Sequence, residues 1–303
     1  MSPRDILAAV SVAVVWGLTF IAIKVGVGET SPLMLSALRF LFAAIPAVFF
    51  VAPPNAPVWK VAAYGLLLGV GQFGLLFIAI RNGFPIGLAS TVVMTQVIFT
   101  VSLAWIFLKE WPRRAQILGG LVAVAGMVAI GSDRLAGASL GPFLLVVLAA
   151  FFWGAANVLA KSAGRVDMLA FTVWSSLAVP VPLTLLSLLV EGKGPLLALA
   201  HPTIRLAISV AVVAYAGTVF GFGVWARLLA HHSATVAPFA LLVPVVGMIA
   251  GPLVFGEPWR GIELTGGVLV MAGLALSVLG SAPAPAPRAP PQVIHARYQG
   301  DPR

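Results

Sequence analysis

Long apolar runs recur along the whole chain, and they limit what it can fold into more than any other feature. A helix needs roughly 20 predominantly apolar residues to cross a bilayer. The connections between the runs are short, so no soluble domain fits between them. The predicted spans are 5–27, 33–53, 59–80, 85–108, 114–132, 142–162, 168–190, 205–229, 234–256 and 261–280. The chain is therefore predicted to be an all-α integral membrane protein with ten transmembrane helices.

Charge and cysteine content exclude several classes of protein. Only 9% of the 303 residues are charged, against about 25% in soluble domains. The formal net charge is +9, but the cations are scattered between apolar runs, which suits cytoplasmic loops and lipid headgroups rather than nucleic acid. Cysteine is absent, which excludes disulfides and thiolate metal sites. The predicted partners are membrane lipids and a small-molecule solute, with no nucleic acid and no metal.

An internal repeat divides the chain into two halves. A shift of 137 residues aligns Trp16-Gly17 with Trp153-Gly154, and a shift of 147 residues aligns positions in the third to fifth spans with positions in the eighth to tenth. The pairs matched by the second shift are Phe73-Gly74 with Phe220-Gly221, Glu110 with Glu257, Gly119-Gly120 with Gly266-Gly267, and Gly126 with Gly273. We predict two five-helix repeats, 1–136 and 137–280, followed by a disordered tail rich in proline and alanine, 281–303.

The odd number of helices in each repeat predicts that the two copies cross the membrane in opposite senses. The loop 109–114 carries three cations, whereas its counterpart 257–263 carries one cation and two carboxylates. Because positively charged loops stay in the cytoplasm, this bias predicts an inverted repeat with both termini cytoplasmic. Both a monomer and a weak homodimer are compatible with the sequence.

Several segments resemble the drug/metabolite transporter superfamily in its EamA-type ten-helix branch. The segments that carry the resemblance are Trp16-Gly17, Ser31-Pro32 with Leu38-Arg39-Phe40, Lys109-Glu110-Trp111 with Gly119-Gly120 and Gly126, and Phe255-Gly256-Glu257 with Gly266-Gly267 and Gly273. The resemblance implies an exporter or facilitator of the bacterial inner membrane, with a central cavity lined by the first, third, fourth, sixth, eighth and ninth helices. The aromatic residues near mid-span also resemble the aromatic amino-acid exporter branch. The second half departs from the pattern, because Trp174 stands where Arg39 stands in the first half.

Aromatic and polar residues at depth are the candidate solute ligands. Trp16 and Trp153 lie near mid-span at equivalent places, where they either pack the repeats together or form an aromatic wall. Intramembrane polar groups usually face protein or water, and they either join helices or bind the ends of a solute. The predicted cavity residues are Trp16, Gln72, Thr91, Thr95, Gln96, Trp153, Asn157, Phe220 and Pro238. Arg39 lies about a third of the way into the second span, and Lys24 and Lys161 lie near span ends, where long side chains reach the interface.

Prolines and glycines within the spans have a functional and a packing interpretation. Pro238 and Pro244 interrupt the ninth span and are predicted hinge or gating residues, although a kink needed only for packing is an alternative. The segment 69–74 spells the dinucleotide fingerprint GxGxxG, which requires a preceding strand and a following soluble helix. Here it lies inside an apolar run, so close helix contacts explain it better and no cofactor is predicted.

The predicted function is export of small organic solutes, amino acids first, with aromatic or neutral ones preferred. No carboxylate falls near a span centre, which favours facilitative alternating access over coupling through a buried acid. Efflux of drugs or quaternary ammonium compounds is an alternative, and carriage of nucleotide sugars or other metabolites is another. An intramembrane enzyme is a distant alternative, because it would need a buried nucleophile and base or a metal cluster.

Overall fold

The regular structure is entirely helical. The computed structural model describes residues 1–136, 140–164, 166–258 and 260–280, and none of these forms a strand. In this part of the chain nine helices are long and apolar enough to cross a membrane, or ten if one bent pair counts as a single span. The all-α integral membrane prediction is confirmed. The predicted disordered tail, 281–303, lies outside the described residues.

Ten spans follow one another with short connections. The spans, one to ten, are Pro3–Glu29, Pro32–Phe49, Val58–Arg81, Ile86–Leu108, Arg114–Leu135, Leu140–Ser162, the pair Met168–Ser176 and Pro180–Val190, Ile204–Leu229, Ala237–Phe255, and Gly261–Leu279.

Local chemistry explains several of the ends. The Ser2 side chain accepts a hydrogen bond from the backbone N–H of Asp5 and caps span one, and Asp167 caps span seven in the same way. Span seven bends by 40° immediately before Pro180, where proline cannot continue the preceding helix.

Irregular backbone occurs at corresponding places in the two halves. Span three contains a π-helical segment, Leu66–Gly74, and span eight contains another, Val212–Phe220. Span four is interrupted at 94–95, and span nine begins with the 3-10 turn Ala237–Leu241 that carries Pro238. Because π segments within longer helices often mark functional positions, the two segments indicate where these spans serve more than packing.

Spans five and ten pack against each other through glycines. Gly119 lies against Gly273, and Gly126 lies against Gly266, so that backbone meets backbone at both contacts. In each case a Cβ atom would come within 3 Å of the facing helix. The shift of 147 residues that relates the halves places Gly119 on Gly266 and Gly126 on Gly273. Each of the two contacts is therefore the counterpart of the other in the repeat.

Two ion pairs show the same reciprocal relation. Lys24 at the end of span one contacts Glu257 after span nine, with 2.5 Å between Nζ and Oε1. Lys161 at the end of span six contacts Glu110 after span four. The same two shifts place the first pair on the second. Each pair therefore joins the first helix of one half to the loop that follows the fourth helix of the other.

Candidate solute cavity

A cavity of about 340 Å³ lies between the two halves. Its wall includes Tyr64 at the start of span three, Asn157 near the end of span six, and Leu229 at the end of span eight. Because successive spans cross in alternate directions, these positions all lie toward the membrane face that holds residue 3, here called the N-terminal face. The other lining residues are Trp16, Met94, Gln96, Val97, Trp153, Met168, Thr172, Phe222, Trp225, Ala226, Ala237, Ala240, Leu241, Val243, Leu274 and Val278.

The cavity narrows toward the middle of the membrane into a smaller space of about 50 Å³, here called the inner chamber. Wide and narrow parts share five lining residues, namely Trp16, Met94, Trp153, Phe222 and Val243. The lining residues found only in the inner chamber are Thr19, Phe20, Ile23, Arg39, Gln72, Phe73, Leu76 and Val93. Three of them, Thr19, Arg39 and Gln72, have polar side chains, and all three are buried.

Aromatic rings form the wall where the two parts meet. Trp16 lies 5.4 Å from Phe222 and 5.2 Å from Trp225 between ring centroids, with tilted planes. Its indole N–H donates to the carbonyl of Gly217 at 2.8 Å, so the ring is fixed with its polar atom satisfied. The tryptophan therefore joins span one to span eight and presents a rigid apolar face to the cavity.

An amide network crosses the wide part of the cavity. Asn157 donates from Nδ2 to Oε1 of Gln96 at 2.7 Å and to Oγ1 of Thr100 at 3.1 Å. These contacts connect span six to span four, one from each half. A solute that entered the cavity would meet two amide groups already oriented by each other.

At the membrane face opposite the N-terminal face, polar contacts join the ends of several spans. Glu257 accepts from Lys24 and also from the backbone N–H of Ile86 at 3.1 Å. Arg134 pairs with Glu263, and their side chains are 9% and 6% exposed. The same face is also tied together by Arg260 with Asp133, Ser31 with Glu191, and Arg81 with the carbonyl of Val27.

Five predicted site residues line the cavity, and four do not. Lining residues among them are Trp16, Gln72, Gln96, Trp153 and Asn157. Thr91 and Thr95 are fully buried, and their hydroxyls donate to carbonyls of their own span. Phe220 is 44% exposed and does not line the cavity. Pro238 does not line it either, although its neighbours Ala237 and Ala240 do. Pro244 is buried in the first turn of the α-helical part of span nine. The assignment of solute ligands and hinges stays a prediction.

The structure adds cavity residues that the sequence reasoning passed over. Tyr64, Phe222 and Trp225 contribute aromatic surface to the wall. Phe222 and Trp225 are three residues apart, so they share a helical face, and this spacing was the available signal. The sequence shows that Arg39 lies deep within its span, but its place in the inner chamber follows only from the packing of three spans around it.

The architecture agrees with comparisons to known proteins. The family model described as the EamA-like transporter family matches residues 4–132 and again residues 140–279. The chain belongs to the EamA-like transporter family. This EamA-type chain is 39% identical over 291 residues to a protein of Salmonella typhimurium strain LT2 named "Probable amino-acid metabolite efflux pump", covering 92% of the chain and 96% of that protein. An Escherichia coli K12 protein of the same name is 37% identical over 289 residues, with the same coverage.

More distant relatives agree on the class of protein. The Escherichia coli K12 protein named "Uncharacterized inner membrane transporter YedA" is 29% identical over 278 residues, which cover 88% of each chain. A solved crystal structure resembles the fold with a TM-score of 0.62 at 19% identity, over 92% of this chain and 98% of that one. The EamA-type chain is a multi-pass transporter of the inner membrane.

Proposed function

We propose that the protein exports amino acids, aromatic and neutral ones first, through the cavity between its halves. The observation that carries the proposal is the cavity itself: its wide part lies toward the N-terminal face, its inner chamber shares five lining residues with the wide part, and the Lys24–Glu257 ion pair lies at the opposite face. A pathway open at one end and closed at the other is what one state of an alternating-access carrier requires. The names of the two efflux pumps support export and support amino acids as the solute.

The two halves form an inverted pair that rocks about this cavity. One support is the family model, which matches each half separately. A second support is that two pairs of contacts occur at equivalent positions of the repeat. These are the two glycine contacts between spans five and ten and the two lysine–glutamate pairs. By the bias of the loop charges, the N-terminal face is cytoplasmic. The state described is therefore open to the cytoplasm, where the exported solute is loaded.

Transport is facilitative and follows the gradient of the solute. Among the described residues that line either part of the cavity, none is an aspartate or a glutamate. Proton- and sodium-coupled carriers usually hold an ionisable group or several oxygen ligands at this depth. The wall of this cavity is mostly apolar and aromatic, with a few amides and hydroxyls that orient a solute.

Counterflow in proteoliposomes with a panel of labelled amino acids tests this function. Trp16→Ala removes the ring that joins spans one and eight in the wall, and it is expected to lower flux about tenfold or more. Asn157→Ala breaks the amide network and is expected to lower flux about fivefold, the value of one hydrogen bond. Trp59→Ala is the matched control, because Trp59 is 62% exposed and lies outside the cavity.

Each arm of this experiment can contradict the proposal. Unchanged flux in both cavity variants would show that Trp16 and Asn157 do not contribute to the solute site. An equal loss of flux in the Trp59→Ala control would show that the effect is not specific to the cavity. Accumulation of solute only under an imposed pH gradient would overturn facilitative transport. Flux of quaternary ammonium compounds without flux of amino acids would replace the function by drug efflux.

A further inference from the structure

We propose that Arg39 and Gln72 form the polar end of the solute site, where the guanidinium binds the carboxylate of an α-amino acid and Gln72 accepts a hydrogen bond from its ammonium group. The inference deepens the proposed function and rests on it for the amino group of the ligand. Its first ground is that a buried cation, Arg39, lines the same chamber as Gln72, whose amide oxygen has no hydrogen-bond partner in the described part of the chain.

Arg39 is a buried cation without an acidic partner. The residue is 3% exposed, and the structure gives it no ion pair with any described aspartate or glutamate. Its Nε donates to Oγ1 of Thr218 at 3.1 Å, and its guanidinium carbon lies 3.6 Å from the ring centroid of Phe73. An uncompensated charge at this depth is costly, and such charges usually mark a solute pathway or a ligand.

The terminal nitrogens of Arg39 are the atoms left for a ligand. Guanidinium carries five N–H groups in a planar fork, and the contact with Thr218 uses only the one on Nε. Among the described residues nothing accepts from Nη1 or Nη2, although the side chain lines the inner chamber. A fork of this geometry binds a carboxylate through two parallel hydrogen bonds.

The position of the guanidinium is fixed by both π segments. Phe73 belongs to the segment of span three, and Thr218 belongs to that of span eight. The Thr218 hydroxyl itself donates to the carbonyl of Val213 at 2.9 Å, which orients its lone pairs toward Arg39. The fork is therefore held from two sides before any solute arrives, and such preorganisation lowers the entropic cost of binding.

Gln72 lines the same chamber as Arg39 and offers a hydrogen-bond acceptor. It is 1% exposed, and its Oε1 has no hydrogen-bond partner in the described part of the chain. A buried polar atom without a partner costs about 1–3 kcal/mol, so its retention in a cavity wall indicates a ligand that satisfies it. An ammonium group carries three donors and suits an amide oxygen in this place.

The rest of the chamber suits the apolar body of an amino acid. Trp16, Trp153 and Phe222 line the junction of the narrow and wide parts, next to the polar end. Arg39 is the only charged side chain among the described residues that line either part. A lone positive charge attracts carboxylates and repels amines and quaternary ammonium ions, so the same residue selects against cationic drugs.

Binding of matched ligands to the purified full-length protein in lipid nanodiscs tests the proposal. Three probes share a phenyl body: L-phenylalanine, 3-phenylpropionate without an amino group, and phenethylamine without a carboxylate. Quenching of tryptophan emission reports binding, because Trp16 and Trp153 line the cavity. The wild-type protein is expected to bind the two carboxylates and to bind phenethylamine at least about tenfold more weakly.

The variants separate a ligand contact from a structural role. Arg39→Gln is expected to weaken the binding of both carboxylates about 10- to 100-fold and to strengthen the binding of phenethylamine, because the charge that repels an amine is removed. Gln72→Leu is expected to weaken the binding of L-phenylalanine but not that of 3-phenylpropionate, because 3-phenylpropionate has no ammonium group. Arg205→Gln is the control, since it removes the same charge from a side chain that is 76% exposed. Arg39→Lys retains the charge without the fork and serves as a second variant if Arg39→Gln does not fold.

The outcomes distinguish this inference from the proposed function. Transport of amino acids with binding that does not depend on Arg39 would overturn the site and leave the function standing. Binding of 3-phenylpropionate that depends on Arg39, without any binding of L-phenylalanine, would overturn the amino-acid function and the role of Gln72. Equal weakening of all three probes in Arg39→Gln, or no binding of any probe to the wild type, would also overturn the site.

Discussion

Gly119→Leu is expected to abolish the folded protein. Gly119 lies in span five against span ten, where an added Cβ would come within 2.7 Å of the backbone nitrogen of Ser277 and closer still to the carbonyl of Gly273. Backbone atoms of a packed helix have no rotamer that relieves such a clash. Overpacking a core costs about 1–3 kcal/mol where side chains can shift, and the cost here is expected to exceed that range. The measurement is the yield of monodisperse protein after extraction in mild detergent.

The next residue along the chain provides the control for this prediction. Gly120 faces away from span ten, and the nearest atom to an added Cβ is Ile98 Cγ2 at 3.9 Å. Gly120→Leu adds the same apolar volume and loses the same glycine, yet it is expected to retain near wild-type yield. If both variants were obtained equally well, close approach of the two helices would not be what holds spans five and ten together.

Glu257→Gln is expected to destabilise the protein much more than the equivalent change in the other half. The Glu257 side chain is 8% exposed, and Lys24 would lose its only described carboxylate partner. Lys24 Nζ would keep its position 4.4 Å from the ring centroid of Phe255, but that contact does not neutralise it. Because Glu257 is buried but Lys24 is 30% exposed, breaking this pair is expected to cost about 1–3 kcal/mol, which corresponds to a fall in melting temperature of about 2–5 °C for 303 residues.

Its counterpart is the ion pair between Lys161 and Glu110. Those side chains are 56% and 47% exposed, so solvent screens the attraction. Glu110→Gln is expected to cost less than about 1 kcal/mol. Thermal unfolding of both variants in the same detergent measures the difference. Equal shifts would contradict the burial argument and would mean that the opposite face is not closed around Glu257.

The positions of the spans could be predicted from the sequence because the bilayer fixes their length and polarity. The predicted span 85–108 is Ile86–Leu108 in the structure, and the predicted 142–162 is Leu140–Ser162. Span two differs, since its α-helix ends at Ala44 and only a 3-10 turn follows, although apolar residues continue. Hydropathy indicates that a segment lies in the bilayer, but it does not indicate whether each turn of that segment is an α-helix or a 3-10 turn.

The cavity lining was harder to predict than the spans. Periodicity places Thr91 and Thr95 on one face of span four, but it does not determine which neighbour that face meets, and both hydroxyls donate to their own helix. Phe220 ends the π segment of span eight, where the wider turn changes the register of the residues that follow. Gln96 and Asn157 were predicted as cavity residues because polar side chains within the membrane usually face protein or water, but their pairing with each other is seen only in the structure.

The charge balance around Arg39 could not be predicted from the sequence. A sequence shows that a cation lies within a span, but it does not show whether a carboxylate from a distant span neutralises it. Only the packing of spans two, three and eight shows Phe73 and Thr218 beside the guanidinium. The same holds for Lys24, whose predicted reach to the interface leads instead to Glu257 from the other half.

Alternating access requires that one cavity opens in turn to the two sides of the membrane, and a single introduced thiol can detect this. The chain contains no cysteine, so Met94→Cys introduces one reactive group where the wide and narrow parts of the cavity meet. A membrane-impermeant maleimide is applied to inside-out and to right-side-out vesicles, with and without L-phenylalanine. Alternating access predicts labelling from the N-terminal face, slower labelling from the opposite face, and protection against both by the amino acid. Labelling from one face only, under every condition, would contradict it.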